Sequence, residues 1–376
     1  MRMRMSIMSV RAAGMMAMLG LTPVPLGIMA HPLNSTTPSL NDWMTCNGKL
    51  YFGTAASPSH FDDTRWMEIL KNHHHFGQVT PENSQKVRPV ISLFRLKSLT
   101  AAPKWKSTEP ERGVFNFTTA DINMREAQKN NQLVRCHTLI WYNDLPDWLS
   151  TTTWDNATLI AVMENHIKEV VTHFRGQCRS WDVVNEALND DGTYRQTLWY
   201  NTIGPAYISM AYDMVAKYDP DAKLYYNDYG IESINNKSLA AMELVRGLKD
   251  QGNRIDGVGL QAHYPVVLAP SYDDQVQVMQ AFANLGVEVA LTELDVFIEI
   301  PETQSQVDTQ AQIYADSVRA CVDVPACIGV TVWGFYDPYS WVNNDTVPGY
   351  GDPDLWWANY TTKPAYTAIG DILGGC

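Results

Sequence analysis

Short runs rich in β-branched and aromatic residues recur along the chain at 50–54, 75–80, 133–140, 179–185, 223–227, 257–263, 288–294 and 329–333. Several of them, such as Val-Gly-Leu-Gln at 258–261, Val-Ala-Leu-Thr at 289–292 and Gly-Val-Thr-Val at 329–332, show no alternation of apolar and polar positions. A strand of that kind is buried on both faces, as in a parallel sheet covered by helices. Between the runs, 159–175, 206–218, 239–251 and 309–321 carry apolar residues at helical spacing. Eight strands alternating with helical connections predict an α/β fold, a single (β/α)8 TIM barrel. No linker, repeat or second compositional regime interrupts the pattern, so one domain is expected over 31–376.

The first thirty residues fall outside this rhythm. Arg2, Arg4 and Arg11 are their only charges, and 12–21 is an uninterrupted run of apolar and small residues. That run is too short to span a bilayer but suits the core of a secretory signal, which predicts a signal peptide over 1–30, cleavage after Ala30 and an extracellular protein. Six cysteines and six N-x-[ST] sequons, at Asn34, Asn116, Asn156, Asn236, Asn344 and Asn359, fit an oxidising exterior. Six cysteines allow fifteen pairings, and the sequence leaves the connectivity open. His73-His74-His75 reads as a helix end with one partly buried ring in preference to a metal site, and no Cys/His zinc spacing occurs.

Composition narrows the function classes. With 28 Lys+Arg against 41 Asp+Glu, the formal charge of −13 repels phosphate backbones and anionic lipid, so neither nucleic acid nor a membrane is an expected partner. An aromatic content of 11% excludes a disordered chain.

A (β/α)8 barrel carries its chemistry where strands end and loops begin. The fourth run ends in Trp181-Asp182-Val183-Val184-Asn185-Glu186, and the seventh in Thr292-Glu293-Leu294-Asp295. A buried strand that delivers a carboxylate to its end costs desolvation, which a merely structural glutamate would avoid. Two such groups at one barrel mouth are the equipment of glycoside hydrolysis, one a proton donor and the other a nucleophile or base.

These runs sit in longer motifs: VTPENS at 79–84, TEPERGVFNF at 108–117, HTLIW at 137–141, WDVVNEAL at 181–188, YNDY at 226–229, IDGVGLQAHY at 255–264, LTELDV at 291–296 and TVWGF at 331–335. Together they resemble glycoside hydrolase family ten, mainly endo-β-1,4-xylanases, over residues 50–368. The resemblance implies that Glu186 is the acid/base and Glu293 the nucleophile of a retaining double displacement, with carboxyl groups roughly 5–5.5 Å apart. It implies that Trp141, Trp333 and Trp341 line the cleft, where a flat ring covers a sugar face. Glu82, Asn83 and Lys86 match the family's glycone-side clamp, His137 its imidazole beside the cleaved sugar, and Asn185 its contact to the 2-hydroxyl; Tyr229 is a further cleft candidate. Asp295 lies two residues beyond Glu293, and Gln261 two before His263, so in continuing strands each pair points one way. We expect Asp295 to orient His263, and His263 and Gln261 to hold Glu293. The resemblance also implies a Cys321–Cys327 disulfide. Cys136 with Cys178 and Cys46 with Cys376 are candidate pairs among the cysteines left. The implied enzyme is a monomer that binds xylan and needs no cofactor or metal. A β-glucanase is the nearest alternative, and a catalytically dead glycan-binding barrel is disfavoured because both carboxylates are present.

Two departures from the family pattern stand out. Trp141-Tyr142-Asn143-Asp144 replaces the usual W-H-x-Q, which puts the contacts of that loop in doubt. The family's E-N-S-x-K-W is split by eighteen residues, 87–104, with four basic residues and no acid. A Val codon begins with GT and a Lys codon can end in AG, so this segment reads as an in-frame retained intron; joining Lys86 to Trp105 restores the pattern. If it is instead a genuine loop, Lys104 substitutes for Lys86.

Overall fold

The computed structural model describes residues 39–82, 104–342 and 346–375. The expected signal peptide, the site candidates Asn83 and Lys86, the insert apart from Lys104, and the sequons at Asn34 and Asn344 lie outside them. Eight strands form the centre: β1 (Tyr51–Ala56), β2 (Gln78–Pro81), β3 (Leu133–Cys136), β4 (Ser180–Asn185), β5 (Lys223–Asp228), β6 (Gly257–Leu260), β7 (Glu288–Glu299) and β8 (Cys327–Val332). Each pairs in parallel with the next, through registers such as Arg135↔Ser180 and Trp181↔Leu224. The sheet closes where β1 meets β8 at Phe52↔Val330. This is the expected (β/α)8 barrel.

The strands lack alternation because both of their faces are covered. All six residues of β4 are buried, the inward set filling the barrel and the outward set meeting helices. The helix Asn156–Phe174 presents Leu159, Val162, Met163, Ile167, Val170 and Phe174 as one buried stripe, and each such side chain contributes about 1.5–3 kcal/mol on leaving water. Its start is fixed by Asp155, which accepts the Thr158 N–H at 2.9 Å. The helix Asn236–Asp250 begins with a reciprocal cap between Asn235 and Ser238. Among the described residues no helix is long and apolar enough to cross a membrane.

Several strands depart from their expected limits, and β7 runs five residues past 294 to Glu299. The strand expected at 75–80 begins only at Gln78, because His73, His74 and His75 occupy a turn in which His74 pairs with Asp42 at 2.9 Å and His75 meets Trp356 edge-on. β3 stops at Cys136, although Ile140 rejoins the sheet through a bridge to Val184. The run 257–263 divides into β6 and a short extension, His263–Pro265, paired to β7. Ala262, at φ +65, separates the two.

Disulfides join Cys321 to Cys327 and Cys136 to Cys178, the latter tying the end of β3 to the approach to β4. Cys46 is also disulfide-bonded; its candidate partner Cys376 lies outside the described residues.

Candidate active site

The strand ends surround a cleft of about 730 Å³. Eleven of the expected residues line it: Glu82, His137, Trp141, Asn185, Glu186, Tyr229, Gln261, His263, Glu293, Trp333 and Trp341. Asp295 lies beneath it, fully buried.

Glu186 immediately follows β4 and has φ +52, a left-handed conformation uncommon for a residue with a β-carbon. Its N–H donates to the Asn227 carbonyl at 2.9 Å, and its own carbonyl accepts from Arg195 Nε at 3.1 Å. The neighbouring strand and loop thus hold the backbone in the turn that aims the side chain into the cleft. Its Oε1 accepts from Gln261 Nε2 at 3.0 Å and Asn185 Nδ2 at 3.2 Å, and its Oε2 from Trp141 Nε1 at 3.0 Å.

Across the mouth, Glu293 Oε1 accepts from Asn227 Nδ2 at 2.7 Å, and Glu293 Oε2 faces His263 Nε2 at 3.3 Å. The other imidazole nitrogen bonds Asp295 Oδ1 at 2.9 Å, while Asp295 Oδ2 accepts from Trp341 Nε1 at 2.7 Å. Burial alone would push the Glu293 carboxyl up. The His263 hydrogen bond, the charge of His137 and the Asn227 amide outweigh it and bring the pKa down to about 2. Burial would lower His263, but Asp295 and Glu293 raise it well above its ordinary value, so the ring is a cation between two carboxylates.

Gln261 does not hold Glu293, as its spacing from His263 led us to expect. It serves Glu186 instead. The alternation rule needs a continuing strand, and the left-handed Ala262 turns the two side chains apart. The sequence reading missed Asn227, which takes the place beside Glu293. Thr292 Oγ1 donates to Asn227 Oδ1 at 2.6 Å, leaving the amide N–H groups for Asn185 Oδ1 at 2.8 Å and for Glu293. A β-carbon at Gly259 would collide with Asn227 Oδ1, so β6 gives this amide its space. Its location at the end of β5, inside the YNDY motif, was the available signal.

The remaining walls follow the same logic. His137 Nδ1 bonds Asp182 Oδ2 at 3.0 Å, and Arg135 Nε donates to the same oxygen, so a buried ion pair inside the barrel fixes the imidazole. Trp333 meets the His137 ring at 5.5 Å and 71°. Partial burial and the charges of Glu293 and Asp295 push Glu82 up to about 8, against Lys104. Tyr229 Oη accepts from Arg195 at 3.0 Å. In the departing loop, Tyr142 lies 4.5 Å from the Arg195 guanidinium, and Asp144 pairs with Lys104 at 3.4 Å. Lys104 Nζ stands 4.6 Å from the Trp141 ring centroid, in the cleft wall.

A closed barrel with two carboxylates at the strand ends lining one cleft defines a glycoside hydrolase. The profile of glycosyl hydrolase family 10 matches residues 94–372, and the chain belongs to that family. It is 44% identical to endo-1,4-beta-xylanase D of Talaromyces funiculosus over 330 residues, which is 88% of this chain and 76% of that one. The solved endo-1,4-beta-xylanase of Penicillium canescens superposes with a TM-score of 0.82 at 40% identity, covering 90% of this chain and 98% of that one. Xylanase 10B of Thermotoga petrophila, solved in complex with xylobiose, gives 0.81 at 38% identity, over 89% and 97%.

Proposed function

We propose that the chain is a secreted endo-β-1,4-xylanase that cleaves internal bonds of xylan by double displacement with retention of configuration. The ionised Glu293 attacks the anomeric carbon while Glu186 protonates the departing glycosidic oxygen, leaving a glycosyl ester on Glu293. Glu186 then takes a proton from water, which attacks the same carbon and releases Glu293. The observation that carries this reading is the continuous hydrogen-bonded line from Glu186 through Asn185 and Asn227 to Glu293. It couples the two groups and keeps Asn185 between them, where the 2-hydroxyl of the reacting sugar sits.

Trp141, Trp333 and Trp341 offer ring faces to the sugars, and the Glu82 carboxyl hydrogen-bonds a sugar hydroxyl. Where the insert is part of the protein, Lys104 takes the clamp role that the resemblance gives to Lys86; a spliced chain keeps Lys86 for it. Secretion is supported by the leader pattern, by the disulfides Cys136–Cys178 and Cys321–Cys327, and by the exposure of all four described sequon asparagines, Asn116, Asn156, Asn236 and Asn359. Initial rates on xylan and carboxymethylcellulose test the substrate class: xylan is hydrolysed faster to short oligosaccharides, and a faster cellulose rate removes the assignment.

A further inference from the structure

Glu232 lies in the loop between β5 and the helix Asn236–Asp250, 3% exposed and outside the lining of the cleft. A buried carboxyl away from the substrate requires a physical reason. Its Oε1 accepts the backbone N–H of Ala262 at 2.8 Å. Burial raises the Glu232 carboxyl, and the Ala262 amide is the first of the groups that oppose this, ahead of the charges of His263 and Lys237.

Ala262 is the residue at which the sixth strand breaks its alternation. It is fully buried at φ +65, a conformation that a residue with a β-carbon holds only when its surroundings determine it. The backbone around it is tied on both sides. Gln261 N–H donates to the Asp228 carbonyl at 3.0 Å, and the Gln261 and Ala262 carbonyls accept from Glu293 and Asp295 N–H at 3.0 and 3.2 Å. The Ala262 N–H goes to the Glu232 carboxyl and not to a neighbouring strand. Without that acceptor the donor would be buried and unpaired, and the peptide would gain by rotating. Rotation there moves both flanking side chains at once: Gln261, which donates to Glu186, and His263, which bridges Glu293 and Asp295.

We propose that Glu232 is a positioning residue for both catalytic carboxylates, its carboxyl oxygen pinning the left-handed Ala262 link that directs Gln261 to Glu186 and His263 to Glu293. This rests on the reading of Glu186 and Glu293 as the catalytic pair. A purely structural role would change stability alone. A positioning role changes turnover and the titration of Glu293, which is faced by His263, His137, Glu82 and Asn227.

The test measures kcat, KM and the acid limb of kcat/KM on xylo-oligosaccharides, beside thermal melting, for Glu232→Leu, Glu232→Gln and Glu232→Asp. Glu232→Leu removes the acceptor and lowers kcat about tenfold to a hundredfold, with KM within roughly threefold. Its acid limb moves to higher pH as His263 loosens from Glu293. Glu232→Gln keeps an acceptor oxygen at the same reach and retains kcat within roughly threefold. Glu232→Asp keeps the carboxyl but falls one methylene short, and shows the loss in milder form even if the leucine variant fails to fold. A folded Leu or Asp variant with wild-type kcat and acid limb overturns the proposal. A wild type inactive on xylan overturns the reading of the site itself, a different result from an active wild type matched by its variants.

Discussion

His263 has both ring nitrogens engaged by carboxylates, and its charge is one of the forces that keep Glu293 ionised. A carboxyl lowered in the folded state adds stability that is complete above its ordinary value near 4.5 and is lost as pH falls through the folded value near 2. Activity that needs ionised Glu293 therefore persists into acid. His263→Gln removes the cation, lets Glu293 drift upward, and moves the acid limb of kcat/KM to higher pH; an unmoved limb means that His263 does not set the nucleophile. Glu293→Ala removes the attacking group and lowers kcat by at least about 10⁴-fold, while retention on insoluble xylan persists. Asp354 poses the opposite case. Among the described residues neither of its carboxyl oxygens has a hydrogen-bond partner. Burial, Asp337 and Asp295 raise it well above its ordinary 3.8, against Lys363. A raised carboxyl favours folding at low pH, and that contribution is lost as pH climbs from 3.8 through the folded value. Asp354→Asn should therefore increase stability at pH 7 by roughly 1–2 kcal/mol and change it little near pH 3, as read by melting temperature.

Between neighbouring elements the disulfides differ in what they constrain. Cys136–Cys178 closes a separation of 42 residues between β3 and β4, whereas Cys321–Cys327 closes only 6. Loop-closure entropy gives about 4 kcal/mol for the first and about 2 kcal/mol for the second. The double variant Cys136→Ala/Cys178→Ala should thus melt lower than Cys321→Ala/Cys327→Ala; the reverse order would mean that strain or residual unfolded structure dominates. Most strands were legible because burial on both faces leaves an apolar signature, as in Val289 to Leu291 and Val330 to Val332. Both carboxylates were legible because they end such strands. What stayed hidden depends on single backbone turns and on side-chain direction. The partner of Gln261 could not be read, because nothing in Gln-Ala-His announces a left-handed alanine. Asn227 was hidden for a related reason: its role needs the space that Gly259 leaves one strand away.

At the scale of the whole molecule, the barrel brings residues 200 positions apart into one cleft, and the basic insert at 87–104 meets that cleft at its last residue. Lys104 packs over Trp141 beside Asp144, immediately before Trp105, which is where a spliced chain would carry Lys86. Either chain therefore supplies a lysine at that point. Peptide mass spectrometry of secreted protein decides between them: a peptide joining Lys86 to Trp105 is expected, and peptides from within 87–104 would establish the insert as part of the protein. The central claim, that Glu186 and Glu293 act as acid/base and nucleophile across a shared hydrogen-bonded line, is tested most directly by the anomeric configuration of the first product. Proton NMR during hydrolysis of a β-1,4-xylo-oligosaccharide should show the β-anomer released first, with the α-anomer growing only by mutarotation. Initial release of the α-anomer would mean a single inverting displacement and would contradict the assignment of Glu293 as a covalent nucleophile.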